Sequence, residues 1–360
     1  MVIAFYGNAQ TIYSSHIPYG KVRCFSLPNV AEATWYMHND TSGELHFYDL
    51  IRKVNIDVNV SINPNEKPVY KGTSDLFYEA VIDLSKNNIL KLQIKEKSNS
   101  EPVEFIMPLT SSDKAVPFDY LYFKAERYIY YDGEDGRDSS SLVVEHVYPV
   151  PAANTNKEDS LRFVNAICSM NEVLTIDVKY PDDIIKNIDI AYIQEYTSVY
   201  ESGEVEADSY TSNWEVFDDI HIVFQKNGLM GIVSSEYSYL GGAHGYYGSS
   251  NYVYDFESQK FLTLDDVFTN NYKIELEKAI NRQLRIDIGL KSNELLEDNG
   301  FFAEYIEITP NFILSESGIT FHYNVYEIAC YAAGSFDVTI PYSEIKSVIR
   351  KNGPIDRMAQ

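Results

Sequence analysis

The stretch Ile319-Thr320-Phe321-His322-Tyr323-Asn324-Val325 decides the fold of the C-terminal half. Apolar residues at every second position put Ile319, Phe321, Tyr323 and Val325 on one face of a strand. Upstream, Leu276, Ile280, Leu284 and Ile288 recur every fourth residue, the apolar stripe of a helix. Downstream, Pro341 opens a stretch with Ile345, Val348 and Ile349 that reads as a short last helix. Further back, Thr155-Asn156-Lys157-Glu158 reads as a capping box, in which the Thr hydroxyl and the Glu carboxylate satisfy the first free backbone donors. Leu161, Val164, Ile167 and Cys168 follow at helical spacing, and Pro181 leads another helical stretch with Ile185, Ile188 and Tyr192. Helices on one side of an antiparallel sheet, an α+β region, are the architecture this predicts.

The N-terminal third reads differently. Between about Lys21 and Leu109, short β-rich segments such as Ala33-Thr34-Trp35-Tyr36-Met37 and Val54-Asn55-Ile56-Asp57-Val58 alternate with turn residues such as Pro28-Asn29 and Asn63-Pro64-Asn65. Such spacing predicts an all-β sandwich over residues 10–112, with Trp35 as a core anchor. The polar run Thr110–Pro117 marks its boundary. Ahead of it, Val2–Tyr6 is apolar and Gly7-Asn8-Ala9 is small, so residues 1–9 read as the remnant of a signal peptide cleaved after Ala9. A positive leader is missing, and an ordinary first strand is the alternative.

The chain has 360 residues, with 53 acidic against 29 basic side chains and a formal net charge of -24. A polyanion or anionic membrane would meet a repulsive field, which argues against a nucleic-acid partner; a cationic partner would be drawn in. No apolar run reaches the roughly 18–20 residues of a membrane span. Cys24, Cys168 and Cys330 have no CxxC spacing and build no zinc or redox motif. Buried free thiols or a single bridge are both open.

Among local motifs, Tyr239-Leu240-Gly241-Gly242-Ala243-His244-Gly245-Tyr246 stands out. Its glycines allow positive φ and close backbone approach. His244 could serve as a base or metal ligand, or it could simply hold the turn by bonding the backbone. The loop has neither GxGxxG nor GxxxxGK[ST] spacing. His221 and His322 supply no metal spacing, and Asp132–Asp138 resembles a calcium loop in composition but not in ligand order. No nucleophile elbow or SxxK motif occurs, and the many paired carboxylates, Asp218-Asp219 and Asp265-Asp266 among them, are uninformative in so acidic a chain. The residues therefore name no catalytic group, metal or cofactor, and non-enzymatic function is the expectation. Between Asn187 and Gln259 the only cationic side chain is Lys226. Its acids include Glu204, Glu206, Asp208, Asp218 and Asp219, a single-sign stretch that serves either solubility or the steering of a basic partner.

Several ordered motifs then resemble a known family. Tyr239–Gly245, Tyr254-Asp255-Phe256, Leu262–Phe268, Tyr323–Ala329, Tyr331-Ala332-Ala333-Gly334 and Ile340-Pro341-Tyr342 resemble the RsiV-type extracellular domain. The segment from Tyr120 to Val216, including Val178-Lys179-Tyr180-Pro181, looks like the small domain of PdaC-type peptidoglycan deacetylases. Cys330 departs from the proline usual in the family. The resemblance implies a small α+β domain over 118–216 and an RsiV-like domain over 217–355. It also implies an extracytoplasmic, periplasmic or secreted setting, and a binding module of the cell envelope without its effector. In the anti-sigma factor that module binds lysozyme, so a basic protein such as lysozyme is the implied partner. A cell-wall glycan is the alternative, and a cell-wall-active enzyme using His244 is a third. Tyr239, Gly241, Gly242, His244 and Tyr246 on one loop, and Tyr326, Glu327 and Tyr331 on another, are the expected binding residues.

Overall fold

A computed structural model describes residues 210–358 except 292, 316 and 317. Before them it describes residues 116, 155–168, 170 and 194–198 and eleven strands. These are Phe5–Tyr6 (β1), Tyr13–Pro18 (β2), Val30–Asn39 (β3), Ser42–Asp49 (β4), Val54–Ser61 (β5), Val69–Thr73 (β6), Tyr78–Lys86 (β7), Ile89–Glu96 (β8), Val103–Pro108 (β9), Phe118–Gly133 (β10) and Gly136–Pro151 (β11). Trp214–Lys226 (β12), Leu229–Tyr239 (β13), Tyr246–Asp255 (β14), Lys260–Phe261 (β15), Phe312–Leu314 (β16), Gly318–Tyr323 (β17) and Phe336–Pro341 (β18) follow. The chain divides into two units, 1–9 with 116–221 and 233–250, and 10–115 with 222–232 and 251–360. Each is described by itself.

β2 to β9 form one antiparallel sheet in consecutive order. Its register sets Tyr13 opposite Trp35, Trp35 opposite Leu45 and Leu45 opposite Val58; the expected core role of the Trp35 side chain lies outside the described residues. The all-β reading of this region agrees with the strands. The strand order is a consecutive meander, and the two packed layers of a sandwich are not shown by it.

In the first unit the strand order is β1-β10-β11-β12-β13-β14. Phe5 and Tyr6 pair with Tyr122 and Leu121. β10 and β11 form an antiparallel pair of sixteen residues a side in which Asp132 lies opposite Arg137 and Gly133 opposite Gly136, so the ends of the calcium-like segment are strand residues. β11 and β12 run parallel, Leu142 opposite Trp214, which makes the sheet mixed rather than purely antiparallel. Leu142, Val144, Tyr196, Trp214 and Val216 form a buried cluster. The helix Lys157–Cys168 begins one residue later than the sequence suggests. Asn156 Oδ1 accepts the Asp159 amide at 2.9 Å, because Asn is at least as good an N-cap as Thr and brings Asp159 to the reciprocal position. Its buried face is Phe163, Ala166 and Ile167, with Phe163 stacked 5.9 Å from Phe118, whereas Leu161 of the expected stripe is exposed. The helix expected after Pro181 lies outside the described residues.

In the second unit, β16, β17 and β18 form an antiparallel sheet on which the Tyr272–Asp287 helix packs. Leu276, Ile280 and Leu284 are fully buried with Ile319, Phe321, Val338 and Ile340, as the helical and strand periods predict. Each such side chain contributes about 1.5–3 kcal/mol relative to exposure. The stretch after Pro341 is not an α-helix. Ile345 and Val348 are buried, but after a short 3-10 turn at Tyr342–Glu344 the backbone pairs outward. The Thr269 and Arg350 amides donate to Val348 and Val267 carbonyls, so these groups are spent on neighbours instead of on a helix. The terminal helix is Pro354–Met358.

Candidate functional site

The loop from Asn324 to Gly334 is built outward from the Tyr272–Asp287 helix. Asn281 on that helix donates from Nδ2 to the Ile306 carbonyl and accepts the Ile306 amide at Oδ1, both at 2.8 Å. Arg285 donates to the Glu294 carbonyl and pairs with Glu304, whose other oxygen accepts the Leu296 amide. The 294–306 connection is thereby fixed, and it fixes the loop in turn. Phe301 bridges Ala329, and the Phe302 amide donates to the Ile328 carbonyl at 2.9 Å.

Within the loop, Val325, Ile328 and Ala329 are buried roots, while Tyr326 is 52% exposed and Phe302 beside the loop 57%. Tyr326 has φ 68°, a left-handed conformation costly for a large side chain. The turn is held by the Glu327 amide donating to the Asn324 carbonyl at 3.1 Å. Across the loop, Tyr331 opens a 3-10 turn, and its ring lies 5.5 Å from that of Tyr326 at 37°. Glu327 and Cys330 are exposed next to this pair. The structure thus gathers the expected Tyr326, Glu327 and Tyr331 on one surface. Phe302 was missed, because one aromatic in a turn-rich stretch carries no periodic signal.

Beneath the loop's first residue, His322 of β17 is buried. Its Nδ1 lies 2.7 Å from Asp337 Oδ1 on β18, and its Nε2 lies 3.2 Å from Asn324 Oδ1. Burial favours the neutral ring. The bond and charge of Asp337, then Asn324 and Glu327, outweigh it and raise the imidazole above its ordinary value. The sequence placed His322 on a strand but gave it no partner, since the Asp337 pairing exists only across the sheet.

The glycine–histidine loop belongs to the first unit and joins β13 to β14. Gly241 has φ 88°, and a Cβ there would stand 2.5 Å from the Thr211 carbonyl oxygen and 3.3 Å from Trp214 Nε1. At Gly245 a Cβ would meet the Tyr237 ring at 2.5 Å, whereas Gly242 has nothing nearer than 3.6 Å. His244 is exposed, its Nδ1 2.9 Å from the Gly245 carbonyl oxygen. Tyr239 is half-buried, and Leu240, Tyr246 and Tyr247 are exposed at the hairpin tip. Of the acidic set, Asp218 lies 3.2 Å from the buried His146, and Asp219 follows it on β12. Burial and then Asp218 push the Glu236 carboxyl above its ordinary range. Glu204, Glu206 and Asp208 lie outside the described residues. Among the described residues no three His, Cys, Asp or Glu side chains come together as a metal site, and no helix is long and apolar enough to cross a membrane.

Residues 265–343 match the profile of DUF3298, described as a protein of unknown function. Over 153 residues the chain is 28% identical to the peptidoglycan-N-acetylmuramic acid deacetylase PdaC of Bacillus subtilis strain 168. The match covers 42% of this chain and 32% of the deacetylase, about a third of that protein's length. The crystal structure of a DUF3298 family member from Bacteroides fragilis NCTC 9343 aligns with a TM-score of 0.55 at 26% identity, covering 69% of this chain and 99% of that one. A DUF3298 family protein from Pseudomonas aeruginosa PAO1 aligns at 18% identity with a TM-score of 0.46, covering 67% of this chain and 97% of that one.

Proposed function

We propose that the chain is a non-catalytic, extracytoplasmic binding protein of the cell envelope, with an RsiV-type module that takes a basic protein such as lysozyme on the 324–334 loop. The observation that carries this reading is the strained, exposed Tyr326 with its ring tilted against that of Tyr331 and Glu327 beside it. Rigid exposed aromatics anchor interfaces, and a carboxylate at their edge suits an incoming Lys or Arg. Strain in a residue that could have been glycine fits a surface kept for contact rather than for stability. The net charge of -24 would speed the approach of a cationic partner.

A second reading, a glycan-binding module, is favoured by Leu240, Tyr246 and Tyr247 exposed at the hairpin tip, and by the peptidoglycan substrate in the deacetylase's name. Aromatic faces stack on sugars without needing charge. Sedimentation with insoluble cell-wall sacculi, set beside capture on immobilised animal-type lysozyme, separates the two. The basic-protein reading expects capture on lysozyme that is washed off by salt, with no co-sedimentation. Co-sedimentation that survives high salt, without lysozyme capture, overturns it in favour of the glycan.

A further inference from the structure

We propose that His322 is a pH-sensitive pin for the 324–334 loop: as an imidazolium it ties Asn324 to Asp337 and holds the aromatic surface in shape, and on losing a proton it lets the loop open. This regulation rests on the reading of that loop as the binding surface. The geometry is that of a two-donor group. Nδ1 faces a carboxylate oxygen and Nε2 an amide oxygen, and only the doubly protonated ring supplies N–H to both. Asn324 is oriented by its other end, where Nδ2 donates to Glu327 Oε1 at 3.5 Å. A neutral ring protonated at Nδ1 needs a rotated amide, which breaks the link to Glu327, and one protonated at Nε2 loses the bond to Asp337; either way one joint of the chain is lost. A continuous chain therefore runs from β18 through Asp337, His322 and Asn324 to Glu327, one residue beyond the strained Tyr326.

The charged groups acting on His322 are Asp337 across the sheet and Glu327 from the loop, both acidic. From the β16 side, the Asn311 carbonyl accepts the His322 amide and adds no charge. The folded ring holds its proton more tightly than a free one. The tie is therefore complete below about pH 6.5, the free-imidazole value, and is lost as pH rises through the raised folded value.

Hydrogen exchange of the Glu327, Ala333 and Gly334 amides, each bonded within the loop, tests the pin without any partner. Protection is expressed relative to the intrinsic rate, and amides of the Tyr272–Asp287 helix report that the fold is intact. Between about pH 6 and about pH 9, wild-type loop protection should fall about tenfold, the scale of one charge-assisted hydrogen bond. His322→Gln should show the low value at both pH values, and Asp337→Asn should move the transition to lower pH. Equal wild-type protection at both pH values, or the same fall in His322→Gln, would overturn the proposal. If lysozyme fails to bind while the exchange transition is present, the partner reading fails and the pin stands.

Discussion

The Tyr326 and Tyr331 rings lie 5.5 Å apart, one on a residue with φ 68° and the other on a 3-10 turn. A left-handed tyrosine stores backbone strain that glycine would relieve. Tyr326→Gly should therefore leave thermal stability unchanged or raise it by up to about 1 kcal/mol, while weakening lysozyme binding about tenfold or more. Thermal melts beside a binding titration check both halves.

Arg357 grips Asp255 with both terminal nitrogens, at 2.8 and 3.0 Å, and so ties the terminal helix to β14. Burial opposes the Asp255 charge, but Arg357, the Glu257 amide and the Ser258 hydroxyl outweigh it and hold the carboxyl below its ordinary value. Asp255→Asn should cost about 1–3 kcal/mol, less than a fully buried pair because Arg357 is partly exposed and keeps Glu257 at 3.1 Å. A depressed carboxylate stabilises above about pH 4 and stops doing so as pH falls through its folded value. The variant's stability should accordingly depend less on pH in that acid range, as denaturant melts at several pH values would show.

The glycines of the β13–β14 loop are not equivalent. Gly241→Ala combines positive φ with a clash against the Thr211 carbonyl and should cost about 2–4 kcal/mol. Gly242→Ala has room and should stay within about 0.5 kcal/mol. Chemical denaturation of the two variants tests the contrast.

Glu236 is a carboxyl whose neutral form the fold favours, through burial and then Asp218. A raised acid stabilises most when protonated, so Glu236→Gln should raise stability at neutral pH and give no gain below about pH 4. Comparing unfolding midpoints at the two pH values checks the sign.

Periodicity reached the elements whose burial is one-sided. Leu276, Ile280 and Leu284, and the alternation of Ile319, Phe321 and Tyr323, survive in the packed core. It failed where local bonding outranked the pattern. Asn156 displaced Thr155 as the cap, and the backbone near Val348 paired with 267–269 instead of continuing into a helix. A one-dimensional alternation also does not say how the strands of residues 10–112 are layered, because one sheet and two packed sheets need the same period. At the site, Tyr326 and Tyr331 are legible as an aromatic loop, but the left-handed backbone of Tyr326 is a turn geometry with no glycine to mark it, and the Asp337–His322 pairing depends on cross-strand register.

The most direct test is a calorimetric titration of the chain with an animal-type lysozyme at low ionic strength, repeated as salt is raised, alongside Tyr326→Ala. The account predicts binding that weakens steeply with salt and is about tenfold or more weaker in the variant. No heat at low ionic strength, or binding indifferent to both salt and Tyr326, would contradict it.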